Sequence, residues 1–312
     1  MSLFFVYFSL LWSGGLFFIY HHFLGYSWPV SLLTEMWPYL LILPIGAWIL
    51  QLAKPALRKR YILLSLATLL LLLNSFPVLS WYGLPQLQHS SEGIRVMTYN
   101  IWIHNENYAA VQKSIQKNLD IVLLTEVSSE AMLVLKNHLA YPYSYRTTGG
   151  NNALLSRYPI LEVTSDLLGV SVKGRTYNLV ARLNVEDRPV TLIGVHPPIP
   201  ALSKYFQVRN RQLDALAEHV RSLEGQVIVL GDFNTTPWSP YLRLFERSAK
   251  VENAGRGRGI YATWHYHSNL PKSLLKVPID HIETRGFKVI HTWVGDAGNS
   301  DHRPVITLLQ SR

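Results

Sequence analysis

Before Glu35 the chain carries no Asp, Glu, Lys or Arg, and residues 1–85 hold only five charged side chains: Glu35, Lys54, Arg58, Lys59 and Arg60. A stretch this poor in charge cannot furnish the polar surface of a water-soluble domain, so the chain must divide. Three apolar runs, 3–24, 34–53 and 61–83, are each close to the ~20 residues that cross a hydrocarbon core of ~30 Å at ~1.5 Å per residue. Residues 1–83 are therefore expected to form a membrane anchor of about three transmembrane helices. Pro38 and Pro44 set the second run apart, because a proline-broken segment can also be re-entrant. The first run lacks the basic start and small-residue cleavage site of a signal peptide, and two further runs follow it, so it reads as a retained anchor.

Lys54, Arg58, Lys59 and Arg60 form the one basic cluster of this half. Positive charge marks the cytoplasmic loop, so three spans would leave everything after Gly83 outside the cytoplasm, at the plasma (inner) membrane. Trp28, Trp37, Trp81 and Tyr82 stand near the run ends, as interfacial anchors would.

Residues 84–93 (LPQLQHSSEG) read as a linker. From Ile94 the pattern changes to short apolar strands: Ile94–Tyr99, Ile121–Leu124, Ala153–Leu155, Tyr177–Leu183, Val190–Val195, Val227–Leu230, Ile279–Glu283, Val289–Val294 and Val305–Leu309. Helices are expected over Tyr108–Leu119, Ser129–Leu139, Ser203–Leu223 and Pro240–Arg247. Many strands with fewer helices indicate an α/β sandwich covered on its outer faces, spanning residues 94–312. The chain has no cysteine, which excludes thiol nucleophiles, thiolate-bound zinc and disulfides. Net charge is +9, of which the part beyond residue 85 carries +6, a balance that suits a phosphate-bearing partner without requiring one.

Polar residues recur where these strands end. Asn100 closes the first and Glu126 follows the second; His196, then Asp232 and Asn234, follow two later ones, and Asp280, Asp301 and His302 complete the set. A hard cation such as Mg²⁺ takes oxygen ligands, a demand that Glu126, Asn100 and Asp301 meet. Phosphodiester hydrolysis further needs a positioned water, a base, donors for developing charge and an acid for the leaving oxygen.

The segments MTYN (97–100), LLTEV (123–127), NALLSRYPI (152–160), GVHPP (194–198), VLGDFNTTPWS (229–239), PIDHI (278–282) and SDHRPV (300–305) occur in an order that resembles the endonuclease/exonuclease/phosphatase superfamily, which includes DNase I-like nucleases and sphingomyelinases. The resemblance implies two mixed β-sheets packed as a sandwich with helices outside, and a Mg²⁺ (or Mn²⁺) site in a cleft at one edge. It makes Glu126 the principal metal ligand with Asn100 and Asp301. Asp232 would align or deprotonate the attacking water, and Asn234 would hold that water or a phosphate oxygen. His302, oriented by Asp280, would meet the scissile phosphate, and His196 would serve the leaving oxygen. In the DNase-like branch an acid from the strand matching Asn151–Leu155 commonly backs that last histidine; here the strand has none, so Asn151 or Asn152 is expected to bind phosphate instead.

The expected activity is thus phosphoester hydrolysis, on nucleic acid first and on a lipid headgroup as the alternative. A binding module that kept the fold but not turnover is the third reading. His265 and His267, alternating within YATWHYH (261–267), lack a third partner for zinc and are assigned to a substrate-side loop. Gly255–Gly259 (GRGRG), flexible and basic, reads either as a phosphate contact or as a mobile surface loop, and Arg209 and Arg211 as the solvated face of a helix.

Overall fold

The computed structural model describes residues 2–22, 28–54, 61–83, 92–115, 118–148, 151–166, 178–265 and 276–312. The chain forms two compact units, Met1–Tyr82 with Trp238–Pro240, and Gly83–Pro237 with Tyr241–Arg312.

The first unit is helical: α1 (Ser2–His22), α2 (Trp28–Glu35), α3 (Trp37–Leu40), α4 (Ile42–Ala53) and α5 (Tyr61–Leu79). Among the described residues, one helix, α5, is by itself long and apolar enough to cross a membrane. The second run differs from a simple span: α2 and the α3–α4 stretch are bent by 83° at their break. That break falls just before Pro38, whose ring supplies no N–H to a preceding turn. In α1 the apolar stretch is Phe4–Phe18. Polarity in this unit runs inward. Ser13, Gln51 and Asn74 are buried, while Phe4, Leu11, Ile42, Ile62 and Phe76 point outward. Asn74 Nδ2 donates to the Ser13 carbonyl at 3.0 Å and Trp37 Nε1 to the Asn74 carbonyl at 2.7 Å, so hydrogen bonds join α1, α3 and α5. The basic positions 58–60 and most of the linker lie outside the described residues.

The second unit holds two six-stranded mixed sheets with helices. Its elements are β1 (Ile94–Asn100), α6 (Tyr108–Ser114), β2 (Ile121–Thr125), α7 (Ser129–Leu139), β3 (Tyr143–Arg146), β4 (Ala153–Ser156), β5 (Ile160–Asp166), β6 (Asn178–Val185), β7 (Arg188–Val195), α8 (Ser203–Ser222), β8 (Gln226–Asp232), α9 (Pro240–Ala249), β9 (Glu252–Asn253), β10 (Trp264–His265), β11 (Lys276–Val277), β12 (Asp280–Arg285), β13 (Phe287–Val294) and β14 (Val305–Ser311). The sheet orders are β13-β14-β1-β2-β4-β3 and β5-β6-β7-β8-β12-β9, with β10 and β11 forming a separate ribbon.

Period-two alternation sorts the side chains into three cores. Val96, Ile121, Leu123 and Leu154 from one sheet meet Leu192, Ile228, Leu230 and Ile282 from the other in a shared interior. Their neighbours Met97, Val122, Leu124 and Leu155 face outward and are covered by Val111 of α6 and Met132 and Leu135 of α7. Ile193, Val227 and Val229 are covered by Leu213, Leu216 and Val220 of α8 and by Leu242 and Phe245 of α9. The helix expected over Tyr108–Leu119 stops at Ser114, where Ile115 turns extended. The sequence reading missed β3 and β5, which are edge strands with mixed polarity, and the two-residue β9, β10 and β11, too short to show a period.

Topology then gathers the polar strand ends. β1 and β2 run parallel with Asn100 opposite Thr125, and β7 and β8 run parallel with Val195 opposite Gly231. Antiparallel β12 sets Asp280 directly opposite Asp232.

Away from this edge, β12 buries Glu283, whose Oε1 accepts from Asn253 Nδ2 at 2.6 Å while Oε2 has no hydrogen-bonding partner among the described residues. Burial and the nearby Glu246 carboxylate raise its pKa well above the usual value, against the lowering pull of Asn253 and Arg256. The folded state therefore binds its proton more tightly than the unfolded chain does, and the associated stability, complete at low pH, is lost as pH climbs above about 4.5. Glu283→Gln keeps the acceptor and removes the ionisation. Its melting temperature is expected to exceed wild type by about 3 °C at pH 8 and to match it near pH 4. Thermal melts at the two pH values check this.

Candidate active site

Glu126 sits in the left-handed region, φ 60°, between β2 and Ser128, whose hydroxyl caps α7 by accepting from Ala131 N. Trp102 (φ 63°), Asn151 (φ 52°) and Asn234 (φ 49°) share that conformation on neighbouring loops. Asparagine tolerates it; for glutamate and tryptophan it costs about 1 kcal/mol or more, a strain that tends to persist where function holds it.

The Glu126 carboxylate is held from three sides. Oε1 accepts from Asn100 Nδ2 at 3.0 Å, Oε2 accepts from Ile103 N at 2.8 Å, and His196 Nε2 lies 3.6 Å from Oε1. Burial pushes its pKa up, but the His196 charge, the Asn100 amide, the Ile103 N–H and His302 together hold it below the usual value. Asn100 Nδ2 also reaches Asp232 Oδ2 at 3.1 Å, while Asn100 Oδ1 accepts from Trp102 N at 3.0 Å.

Asp232 is central. Its Oδ2 lies 3.7 Å from His196 Nε2 and 3.7 Å from His302 Nε2, and its Oδ1 accepts from Asn234 N at 2.9 Å. Burial and the Asp280 charge push Asp232 up to about 6, opposed by both imidazoles and the Asn234 N–H. His302 Nδ1 meets Asp280 Oδ2 at 2.8 Å. Burial alone would lower its pKa, but the Asp280 and Asp232 charges and the hydrogen bond outweigh that and raise it to about 10.

Asp301 stands apart from these contacts. Its Oδ2 accepts from Trp264 Nε1 at 3.1 Å, and its buried Oδ1 has no hydrogen-bonding partner among the described residues. Asn234 turns its amide to the Pro197 carbonyl at 3.0 Å. Asn151 Oδ1 is held by Arg146 Nη2 at 3.0 Å, and Asn152 is fully enclosed beside Thr147. His196, for which the sequence offered no backing acid from the Asn151–Leu155 strand, has the carboxylates of Glu126 and Asp232 beside it instead.

Two donor sets bear on a metal. Among the described residues, ligand atoms of Asp232, Asp280 and His302 come within 4.8 Å of one another. The imidazole of this trio is already engaged by Asp280 at 2.8 Å and its pKa is raised to about 10, so His302 is held as the hydrogen-bonded partner of Asp280. Glu126, ionised and backed by the Asn100 amide, and Asp301, with its unsatisfied buried oxygen, supply the oxygen donors that Mg²⁺ prefers.

Sequence reading missed several supports. Ser300 Oγ donates to the Asn100 carbonyl at 2.8 Å and accepts from His302 N at 3.0 Å. Thr263 and His265 pair through their backbones with Arg303 and Asp301, bracing the SDH loop. His265 lies in β10, whereas His267 is outside the described residues. The GRGRG segment is pinned rather than free: Arg256 pairs with Glu246 at 2.5 Å and Arg258 Nη2 donates to the Val289 carbonyl at 2.6 Å. Arg209 does not face solvent at all; it is 0% exposed. Its position on the stripe Phe206, Arg209, Leu213, Leu216, Val220 was the readable signal.

Two mixed sheets with helices, and acidic, amide and imidazole groups at the end where parallel strands emerge, define the DNase I-like class of α/β sandwich. Residues 97–302 match the model of the Endonuclease/Exonuclease/phosphatase family, and the chain belongs to that family. No curated protein sequence matches significantly. Solved structures share the fold at low identity. TDP2 from D. rerio, complexed with single strand DNA product, is 16% identical with a TM-score of 0.60, covering 71% of this chain and 100% of that one. Sphingomyelinase C from Streptomyces griseocarneus is 17% identical, TM-score 0.54, covering 70% and 99%. A variant of the Staphylococcus aureus beta toxin with bound magnesium ions is 16% identical, TM-score 0.52, covering 70% and 99%.

Proposed function

We propose that this chain is a divalent-metal-dependent phosphodiesterase acting on nucleic acid, with its N-terminal unit seated in a membrane. The observation that carries the reading is Asp232 flanked at 3.7 Å by both His196 and His302, with Asp280 behind His302. In this reading Glu126, Asn100 and Asp301 hold Mg²⁺ or Mn²⁺, which when bound neutralises phosphate charge and polarises the ester.

Asp232 aligns the attacking water and takes its proton, and Asn234 holds the same water or a phosphate oxygen. His302, kept charged by Asp280, meets the charge that develops on the phosphoryl oxygens. His196 gives its proton to the leaving oxygen. Asn151 or Asn152 contacts phosphate, and the enclosure of Asn152 favours Asn151 as the one that reaches it.

The +6 charge beyond residue 85 supports a nucleic-acid substrate. A lipid headgroup is the second reading, supported by exposed Ile103, Ile199 and Leu202 on the loops that follow β1 and β7, at 37, 55 and 50% exposure. The outward apolar side chains and inward polar ones of the first unit support membrane residence. The basic cluster at Lys54 and 58–60 supports a catalytic unit outside the cytoplasm.

The full chain in detergent, assayed with Mg²⁺ or Mn²⁺ on plasmid DNA, RNA, sphingomyelin, phosphoinositides and bis-p-nitrophenyl phosphate, tests the substrate. Cleavage of DNA or RNA alone is expected, with activity lost on chelation and regained when metal is added back. Turnover of lipid alone would replace the first reading with the second, and silence across the panel would leave a binding module. A reporter fused after Arg312 that works only in the cytoplasm would overturn the orientation.

A further inference from the structure

Arg209 lies on α8, outside every strand-end motif, yet it is fully buried and reaches the GDFN loop. Its Nη1 donates to the Asn234 carbonyl at 2.8 Å and its Nε to Asn210 Oδ1 at 3.0 Å. The guanidinium sits 5.3 Å from the Phe206 ring centroid and 5.6 Å from that of Tyr241, two rings that meet edge to face at 5.4 Å. A planar cation packed over two aromatic rings and hydrogen-bonded at two nitrogens has little rotational freedom, so the hydrogen bond it makes to Asn234 is fixed in direction.

Asn234 is where that direction matters. It holds φ 49°, its N–H donates to Asp232 Oδ1 at 2.9 Å, and its side-chain amide donates to the Pro197 carbonyl at 3.0 Å, one residue beyond His196. One residue therefore joins the Asp232 and His196 loops, and Arg209 holds that residue by its remaining backbone polar group. We infer that Arg209 is a positioning residue: through Asn234 it fixes where Asp232 and His196 stand relative to each other. The inference rests on the phosphodiesterase reading. Lysine is a poor replacement, because a single ammonium cannot keep both hydrogen bonds and both ring contacts.

The test uses the full chain with Arg209→Lys, Arg209→Gln and the milder Tyr241→Leu. Hydrolysis of bis-p-nitrophenyl phosphate with Mg²⁺ is measured alongside hydrogen exchange of the peptide covering 231–237. Both Arg209 variants should lose about 10- to 100-fold in kcat with KM within about 2-fold, the pattern of displaced reacting groups rather than lost binding. Exchange in 231–237 should quicken about 10-fold while the α8 and β7 amides keep their wild-type rates. Tyr241→Leu, which retains the arginine, should lose about 3- to 10-fold in kcat and decides the matter should the arginine variants fail to fold. Wild-type kcat in folded Arg209→Gln, or unchanged loop exchange, overturns the inference. A wild-type chain inert on this substrate would count against the phosphodiesterase reading alone, since the exchange measurement still decides whether Arg209 holds the loop.

Discussion

Asp232→Asn is expected to lower kcat about 100- to 10,000-fold with the fold intact. The substitution keeps shape and removes the one carboxylate that both imidazoles approach, at 3.7 Å each. Loss of a positioned proton acceptor costs a rate factor of that size. Stability should not suffer, because burial and the Asp280 charge already oppose ionisation of Asp232. His302→Ala should cost a similar factor, since it strands Asp280 without its 2.8 Å partner and, in the proposed mechanism, removes the cation that meets the phosphate. Steady-state kinetics on the best substrate of the panel, with circular dichroism to confirm folding, provide the measurement. Either variant within about 10-fold of wild type would sink the assigned roles.

Gly231→Ala is expected to be the most damaging single-methyl change in the catalytic unit. Gly231 has φ 146°, and a Cβ there would stand 2.0 Å from the Val195 carbonyl oxygen on the neighbouring strand. That oxygen belongs to fixed sheet backbone, so relief requires β7 and β8 to part at the point where His196 and Asp232 leave them. The combined clash and backbone strain should cost about 3–5 kcal/mol and lower the melting temperature by about 10 °C. Activity should fall further than stability explains, because the methyl pushes on the residues that flank the site. A melting temperature within about 2 °C of wild type would show that the loop absorbs the methyl elsewhere.

The GDFN segment was legible as part of an ordered motif set, whereas the φ of 146° that requires its glycine was seen only in the structure. The apolar runs before Asn100, Glu126, His196 and Asp232 were equally legible, since strands buried on both faces must be continuously hydrophobic. Residues whose work is done through the backbone left weaker traces. Ser300 and Thr263 look like ordinary turn and strand residues until their hydroxyls are seen to collect three backbone N–H groups between them. The GRGRG loop read as mobile because composition records glycine and arginine but not Glu246, the partner that pins Arg256.

By itself the sequence determined the division between a charge-poor N-terminal segment and a longer α/β part, the order of its principal strands and the identity of the chemical groups at their ends. These are local properties, set by hydropathy, periodicity and turn chemistry within a few residues of each position. The tertiary structure alone decided which groups meet. Strand pairing set Asp280 against Asp232, sheet packing brought Glu126 within 3.6 Å of His196, and an arginine assigned to solvent became the buried anchor of the GDFN loop. Such contacts join residues tens to hundreds of positions apart, and their geometry follows from register and packing, which no local stretch of sequence encodes.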